Sequence, residues 1–189
     1  MRGRKAVCAR SLYRWISAVT AIVLVATVCG CARSSWEDEL AREIPLLGHR
    51  NWIVVADAAY PAQSSGGIET VVTGAGQLEV VDAVLDAVDR APHIRAIVQL
   101  DAELGSVSED DAPGIAEYRH ALQELLAGRL VNKVLHEELI GRLDEAAETF
   151  RVLILKTDMT LPYTSVFLLL DCGYWSAEAE QRLRDAIKP

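Results

Sequence analysis

The sequence predicts an α/β fold from three observations. Short apolar runs rich in β-branched residues recur along the chain, too brief for free-standing helices and bounded by Gly, Pro and Ser. Between them lie longer segments whose apolar residues repeat at helical spacing, and strands alternating with helices mark this fold class. Cysteine usage offers no other scaffold. Cys8, Cys29 and Cys31 fall within or at the end of an amino-terminal leader, so Cys172 alone remains for a disulfide or zinc framework.

The leader comes first. Arg2, Arg4, Lys5, Arg10 and Arg14 form a basic stretch without an acid, followed by an apolar run over 16–28 that is short for a membrane span, so residues 1–30 read as a signal peptide. Its end, Val28-Cys29-Gly30-Cys31, resembles a bacterial lipobox and implies lipidation at Cys31. An uncleaved anchor or ordinary cleavage are the alternatives. Lipidation would make the protein an exported, membrane-anchored lipoprotein on the periplasmic or cell-surface side, joined by a tether over 31–35 to one domain over 36–189. Losing the leader moves the net charge from −8 to about −13, a balance that disfavours nucleic acid and points to neutral or small partners.

Beyond the tether, Ser35 and Asp38 form a capping pattern for a helix over 36–44. Residues 52–56 read as a buried strand, which delivers Asp57 to its carboxyl end, where open α/β sheets bind ligands. A Ser/Gly-rich loop over 63–67 follows, expected near the site, and then a strand over 68–73. Leu78, Val81, Val84, Leu85 and Val88 form the stripe of an amphipathic helix that ends before Pro92, and a strand over 94–100 comes next. Residues 101–111 are acidic and turn-rich, and the run Glu109-Asp110-Asp111 reads as a solvated loop, because it lacks EF-hand spacing. A helix over 113–127 closes at Gly128, and then come a short strand over 131–135, a helix over 137–148, strands over 152–155 and 166–170, and a last helix over 176–187.

Four segments carry a resemblance. Gly48-His49 is followed by Val54-Val55-Ala56-Asp57-Ala58 and Pro61; further on stand Tyr118-Arg119-His120-Ala121-Leu122, His136-Glu137-Glu138-Leu139, and Thr160-Leu161-Pro162-Tyr163-Thr164-Ser165. Their types and order resemble the D-ribose pyranase and L-fucose mutarotase family, the RbsD/FucU family, and its fucose branch more than its ribose branch. The resemblance spans about Ile44 to Gly173. It implies a three-layer α/β/α fold with a mixed, largely parallel sheet, and a sugar isomerase without cofactor or metal. It also implies assembly into ring-like homo-oligomers with sites at subunit contacts.

The residue types suit that chemistry in their own right. Opening a cyclic hemiacetal removes the anomeric hydroxyl proton and protonates the ring oxygen, and histidine is the side chain most readily poised for such transfers near neutral pH. His49 and His136 are therefore the acid–base candidates, Asp57 the orienting carboxylate and Tyr163 a hydroxyl donor. Tyr118, His120 and Ser165 are candidate sugar contacts. Two departures favour a second reading, a sugar-binding or structural paralogue without turnover: Ser165 stands where the family has asparagine, and Ile140 where the ribose branch has lysine. Taken singly, His136 could merely cap its helix, His49 could be a capping or surface residue, and Tyr163 a turn aromatic.

Overall fold

The structure is a computed structural model that describes residues 35–187. The signal peptide over 1–30, Cys31 and most of the tether lie outside the described residues. Helix α1 (Trp36–Glu43) starts at the expected capping box: the Ser35 hydroxyl accepts from the Asp38 N–H, and the Asp38 carboxylate accepts from the Ser35 N–H, both at 3.2 Å. A 3-10 turn over Ile44–Leu46 leads towards β1 (Trp52–Ala56). There follow β2 (Ile68–Val72), α2 (Gln77–Asp89), β3 (Ile94–Asp101), α3 (Ile115–Leu125) and β4 (Val131–Val134). The chain continues through α4 (His136–Ala147), β5 (Val152–Lys156), β6 (Val166–Cys172) and α5 (Ala177–Ala186).

The six strands form one sheet in the order β2-β5-β1-β6-β3-β4. Strands β2, β5 and β1 pair in parallel, as do β3 and β4, whereas β6 runs antiparallel to both β1 and β3. The sheet is therefore mixed and largely parallel. Strand β1 is buried at every position, which explains why its sequence is a continuous apolar run instead of an alternating one. Ile53 and Val55 face one core with Leu153, Leu155 and Leu168, covered by α1, α2 and α3. Trp52, Val54 and Ala56 face the other with Ile154 and Phe167, covered by Leu139 and Leu143 of α4. Helices on both faces make three layers, and each fully buried aliphatic side chain contributes about 1.5–3 kcal/mol.

Several local details differ from the sequence reading. In α2 Val80 is fully buried together with Val81 and Val84, and Leu78 is only partly buried. The acidic stretch contains a 3-10 helix over Ala102–Ser106, and Glu109 is a cap: its carboxylate accepts from the Gly114 and Ala116 backbone N–H groups at the start of α3. The Ser/Gly loop over 63–67 does not lie at the expected place. Gln63 donates to Asp144 and Ser65 donates to the Ala147 carbonyl, which pins the loop to the carboxyl-terminal half of α4, about 12–16 Å along the helix from His136.

That docking requires Gly67. A Cβ there would overlap the Ala147 carbonyl oxygen and stand 2.8 Å from the Phe150 carbonyl oxygen, backbone atoms that cannot swing aside. Gly67→Ala should therefore lower stability by about 1–3 kcal/mol in a thermal melt, whereas Gly66→Ala, whose Cβ meets nothing within 4 Å, should leave the Tm nearly unchanged. Equal melting temperatures for the two variants would contradict this packing.

Candidate active site

Because β6 is reversed, its amino end lies beside the carboxyl ends of β1 and β3. That edge collects Asp57 after β1, Asp101 as the last residue of β3, His136 just beyond β4, and the turn Tyr163-Thr164-Ser165 that enters β6. Stiff strands and one helix start thus set the positions of these side chains.

Asp57 and Ser165 hold each other. The buried Ser165 hydroxyl donates to Asp57 Oδ2 at 3.0 Å and accepts from the Asp57 N–H at 3.3 Å, while Asp57 Oδ1 accepts from the Ala59 N–H at 2.8 Å. The Ser165 hydroxyl is thereby spent on orienting the carboxylate. His136 is fixed from two directions. Its backbone N–H donates to both carboxylate oxygens of Glu103 at 3.1 Å, so Glu103 caps α4, and the imidazole is left to a different partner. That partner is Asp101, whose Oδ1 lies 3.0 Å from Nδ1 of His136. The Tyr163 ring meets the imidazole edge-on, with centroids 5.6 Å apart and planes at 81°. Tyr163 itself has φ 57°, a left-handed conformation uncommon outside glycine, and is partly exposed.

Asp101 is a candidate site residue that the sequence reading missed. Its side chain is wholly buried, and Oδ2 has no hydrogen-bond partner among the described residues. Burial pushes its carboxyl above the ordinary range against the pull of His136, with Glu103 and Asp57 adding upward pressure. The signal was available: Asp101 follows an apolar strand just as Asp57 does. Tyr60 was also missed. Its buried hydroxyl has no hydrogen-bond partner among the described residues, and burial, then Asp144, Asp101 and Asp57, push it up to about 12, so it stays protonated. A pocket of about 410 Å³ opens beside Tyr163, bordered by Ala102, Glu103, Val107 and Leu135.

Beneath the site sits a buried polar knot built on Gln77. Its side-chain amide donates to the Val55 and Thr164 carbonyls, each at 2.9 Å, and its oxygen accepts from the Thr157 hydroxyl. Tyr118, one of the expected sugar contacts, joins this knot: it is buried and its hydroxyl donates to the Thr164 carbonyl at 2.7 Å. Desolvation raises its pKa well above the usual phenol value. Tyr118 therefore supports the Tyr163–Ser165 turn from below. His120 lies on the exposed side of α3, with its Nε2 3.5 Å from Glu124 Oε1.

His49 is not at this edge. It precedes β1, and its Nδ1 lies 3.0 Å from Asp171 Oδ1 near the far end of β6, so the five residues of β1 separate it from Asp57 by about 17 Å or more. Among the described residues no group of three or more His, Cys, Asp or Glu side chains is placed to hold a metal ion.

The raised Asp101 carboxyl predicts a pH effect of definite sign. A folded-state pKa above the unfolded value means that the native state binds the proton more tightly, so this group's contribution to stability falls as pH rises from about the ordinary 3.8 through the raised value. Asp101→Asn removes that titration. The Tm difference, variant minus wild type, should therefore grow more positive between pH 4 and pH 7; a difference that is flat or falls across this range would contradict the assignment.

Residues 34–173 match the model of the RbsD / FucU transport protein family. Among solved structures, Bacillus subtilis RbsD complexed with D-ribose matches at 20% identity and TM-score 0.51, over 73% of this chain and 93% of that one. The fucose mutarotase from Streptococcus pneumoniae, in complex with L-fucose, matches at 22% identity and TM-score 0.48, over 73% of this chain and 93% of that one. No curated protein sequence matches significantly. The family match covers most of the described residues, and the likeness to Bacillus subtilis RbsD bears out the three-layer fold, so the chain belongs to the RbsD/FucU family.

Proposed function

We propose that this protein is a cofactor-free mutarotase or pyranase, which interconverts anomers or ring forms of a fucose- or ribose-like monosaccharide. The observation that carries the reading is the His136–Asp101 pair set beside Asp57 and Tyr163 at one sheet edge. An ionised Asp101 carboxylate only accepts, so it holds the Nδ1 proton of His136 inward and leaves Nε2 to move a proton on or off the sugar. Asp57, fixed by Ser165 and by the Ala59 N–H, is pre-oriented to accept from sugar hydroxyls. Tyr163, partly exposed over the imidazole, supplies a hydroxyl at the mouth.

Ring opening needs a second proton carrier, and in this reading it is His49 of another copy, supplied across a subunit contact of a homo-oligomeric ring. Export through the leader and acylation at Cys31 complete the reading, placing the enzyme at a membrane outside the cytoplasm. One observation favours binding without turnover: the Ser165 hydroxyl is consumed by Asp57, where asparagine would offer further donors.

Saturation-transfer NMR of anomer exchange separates the two. With L-fucose, D-ribose and a sugar panel, the wild type should exchange at least one sugar well above the buffer rate. His136→Ala should lose on the order of 10²–10⁴-fold, and Asp57→Asn should also slow exchange. Exchange no faster than buffer across the panel contradicts the enzyme, and sugar-induced shifts without exchange would establish the binding role.

A further inference from the structure

The far end of the sheet holds a second histidine–carboxylate pair. His49 sits in a tight turn in which the Gly48 N–H donates to Asn51 Oδ1 at 2.7 Å and the Asn51 N–H donates to the Gly48 carbonyl at 3.1 Å. The turn is clipped onto β6 by the Arg50 N–H donating to the Leu170 carbonyl and the Leu170 N–H donating to the Asn51 carbonyl, each at 2.9 Å. Arg50, next to His49, has φ 75°, a left-handed strain that such over-determination sustains. The imidazole then meets Asp171, whose other oxygen takes the Arg95 Nε–H at 3.0 Å. Arg95 and Asp171 are direct cross-strand partners of β3 and β6, so the carboxylate cannot easily rotate away.

We propose that Asp171, locked by Arg95, is the positioning residue for His49: it holds Nδ1–H inward and presents Nε2 outward, ready to act in the site of a neighbouring copy. The inference rests on the reading of His49 as a proton carrier. Burial draws the Asp171 carboxyl upward, but hydrogen bonds from Arg95 and the Cys172 backbone, the Arg95 charge and His49 outweigh it and keep the carboxyl below its ordinary range. Asp171 therefore stays an acceptor-only carboxylate under neutral conditions, and an acceptor-only partner dictates which ring nitrogen carries the proton. The arrangement parallels Asp101 and His136 at the opposite edge, with one difference: Asp101 is sealed in the interior, while Asp171 is partly solvated and paired with a guanidinium.

The test uses the full chain labelled with ¹⁵N-histidine, with the His49 signal assigned through His49→Gln. At a pH where the ring is neutral, wild type should show Nδ1 protonated and Nε2 bare, and Asp171→Ala should move the signal towards the Nε2–H form. Anomer-exchange kcat should drop on the order of tenfold or more in Asp171→Ala with KM nearly unchanged, because the variant loses proton transfer and not sugar contact. Arg95→Ala, which leaves the carboxylate, should shift both readouts less. An unchanged tautomer and kcat in Asp171→Ala would overturn the proposal. If the wild type exchanges no sugar, the function reading falls, and the tautomer signal alone decides whether Asp171 sets the ring.

Discussion

The direction of β6 governs everything else in this molecule. A strand that runs against both neighbours in the middle of a sheet brings its own entry turn to the carboxyl ends of β1 and β3, and carries its exit to their amino ends. Tyr163 and Ser165 thereby meet His136 and Asp57, and Asp171 meets His49. Were β6 parallel, the Asp57–Ser165 and His136–Tyr163 contacts could not form. The reversal is secured by burial: Val166, Phe167 and Leu168 are fully enclosed, and their side chains alternate between the two cores. The same feature that assembles one half of the proposed chemistry exiles the other half to the opposite end.

The polar interior repeats this logic on a smaller scale. Gln77 ties the carboxyl end of β1 to the turn entering β6, and Tyr118 adds a second donor to the same Thr164 carbonyl. Buried polar groups are costly unless satisfied, so a knot in which every group finds a partner fixes one backbone path. Three other buried side-chain atoms find no protein partner among the described residues: Asp101 Oδ2, Tyr60 OH, and Gln63 Oε1 of the loop docked on α4. The satisfied knot lies under the site, whereas the unpartnered Asp101 Oδ2 lies at it, the kind of buried polar atom that calls for an explanation.

Much of the fold was legible from periodicity alone. The strands at 52–56 and 94–101 and the helices at 77–89 and 136–147 fall within a residue or two of their expected ends, because apolar spacing reports burial directly. Strand order and direction were not legible, since pairing between residues a hundred positions apart leaves no local pattern, and only the family resemblance implied the mixed sheet. At the candidate site, residue type and position pointed to Asp57 and His136, which the fold brings to one sheet edge. Asp101 was passed over because the acidic turn after it reads as solvated loop, and Gln77 because a polar residue in the first turn of an amphipathic helix gives no sign of being enclosed. Asp171, at the end of an apolar run, looks in sequence like an ordinary surface acid.

A head-to-tail contact between copies would reunite the two ends, and contacts of this heterologous kind close into rings when the rotation allows. In the proposed reaction the site is shared by two chains, with His136 from one and His49 from the next. Mixing tests it most directly. His49→Ala and His136→Ala, each inactive alone, are unfolded, refolded together in equal amounts, and assayed for anomer exchange while native mass spectrometry reports mixed oligomers. The account predicts that exchange returns at roughly a quarter of the sites, those that pair an intact His136 with an intact His49. Mixed oligomers that remain as inactive as their parents would contradict it.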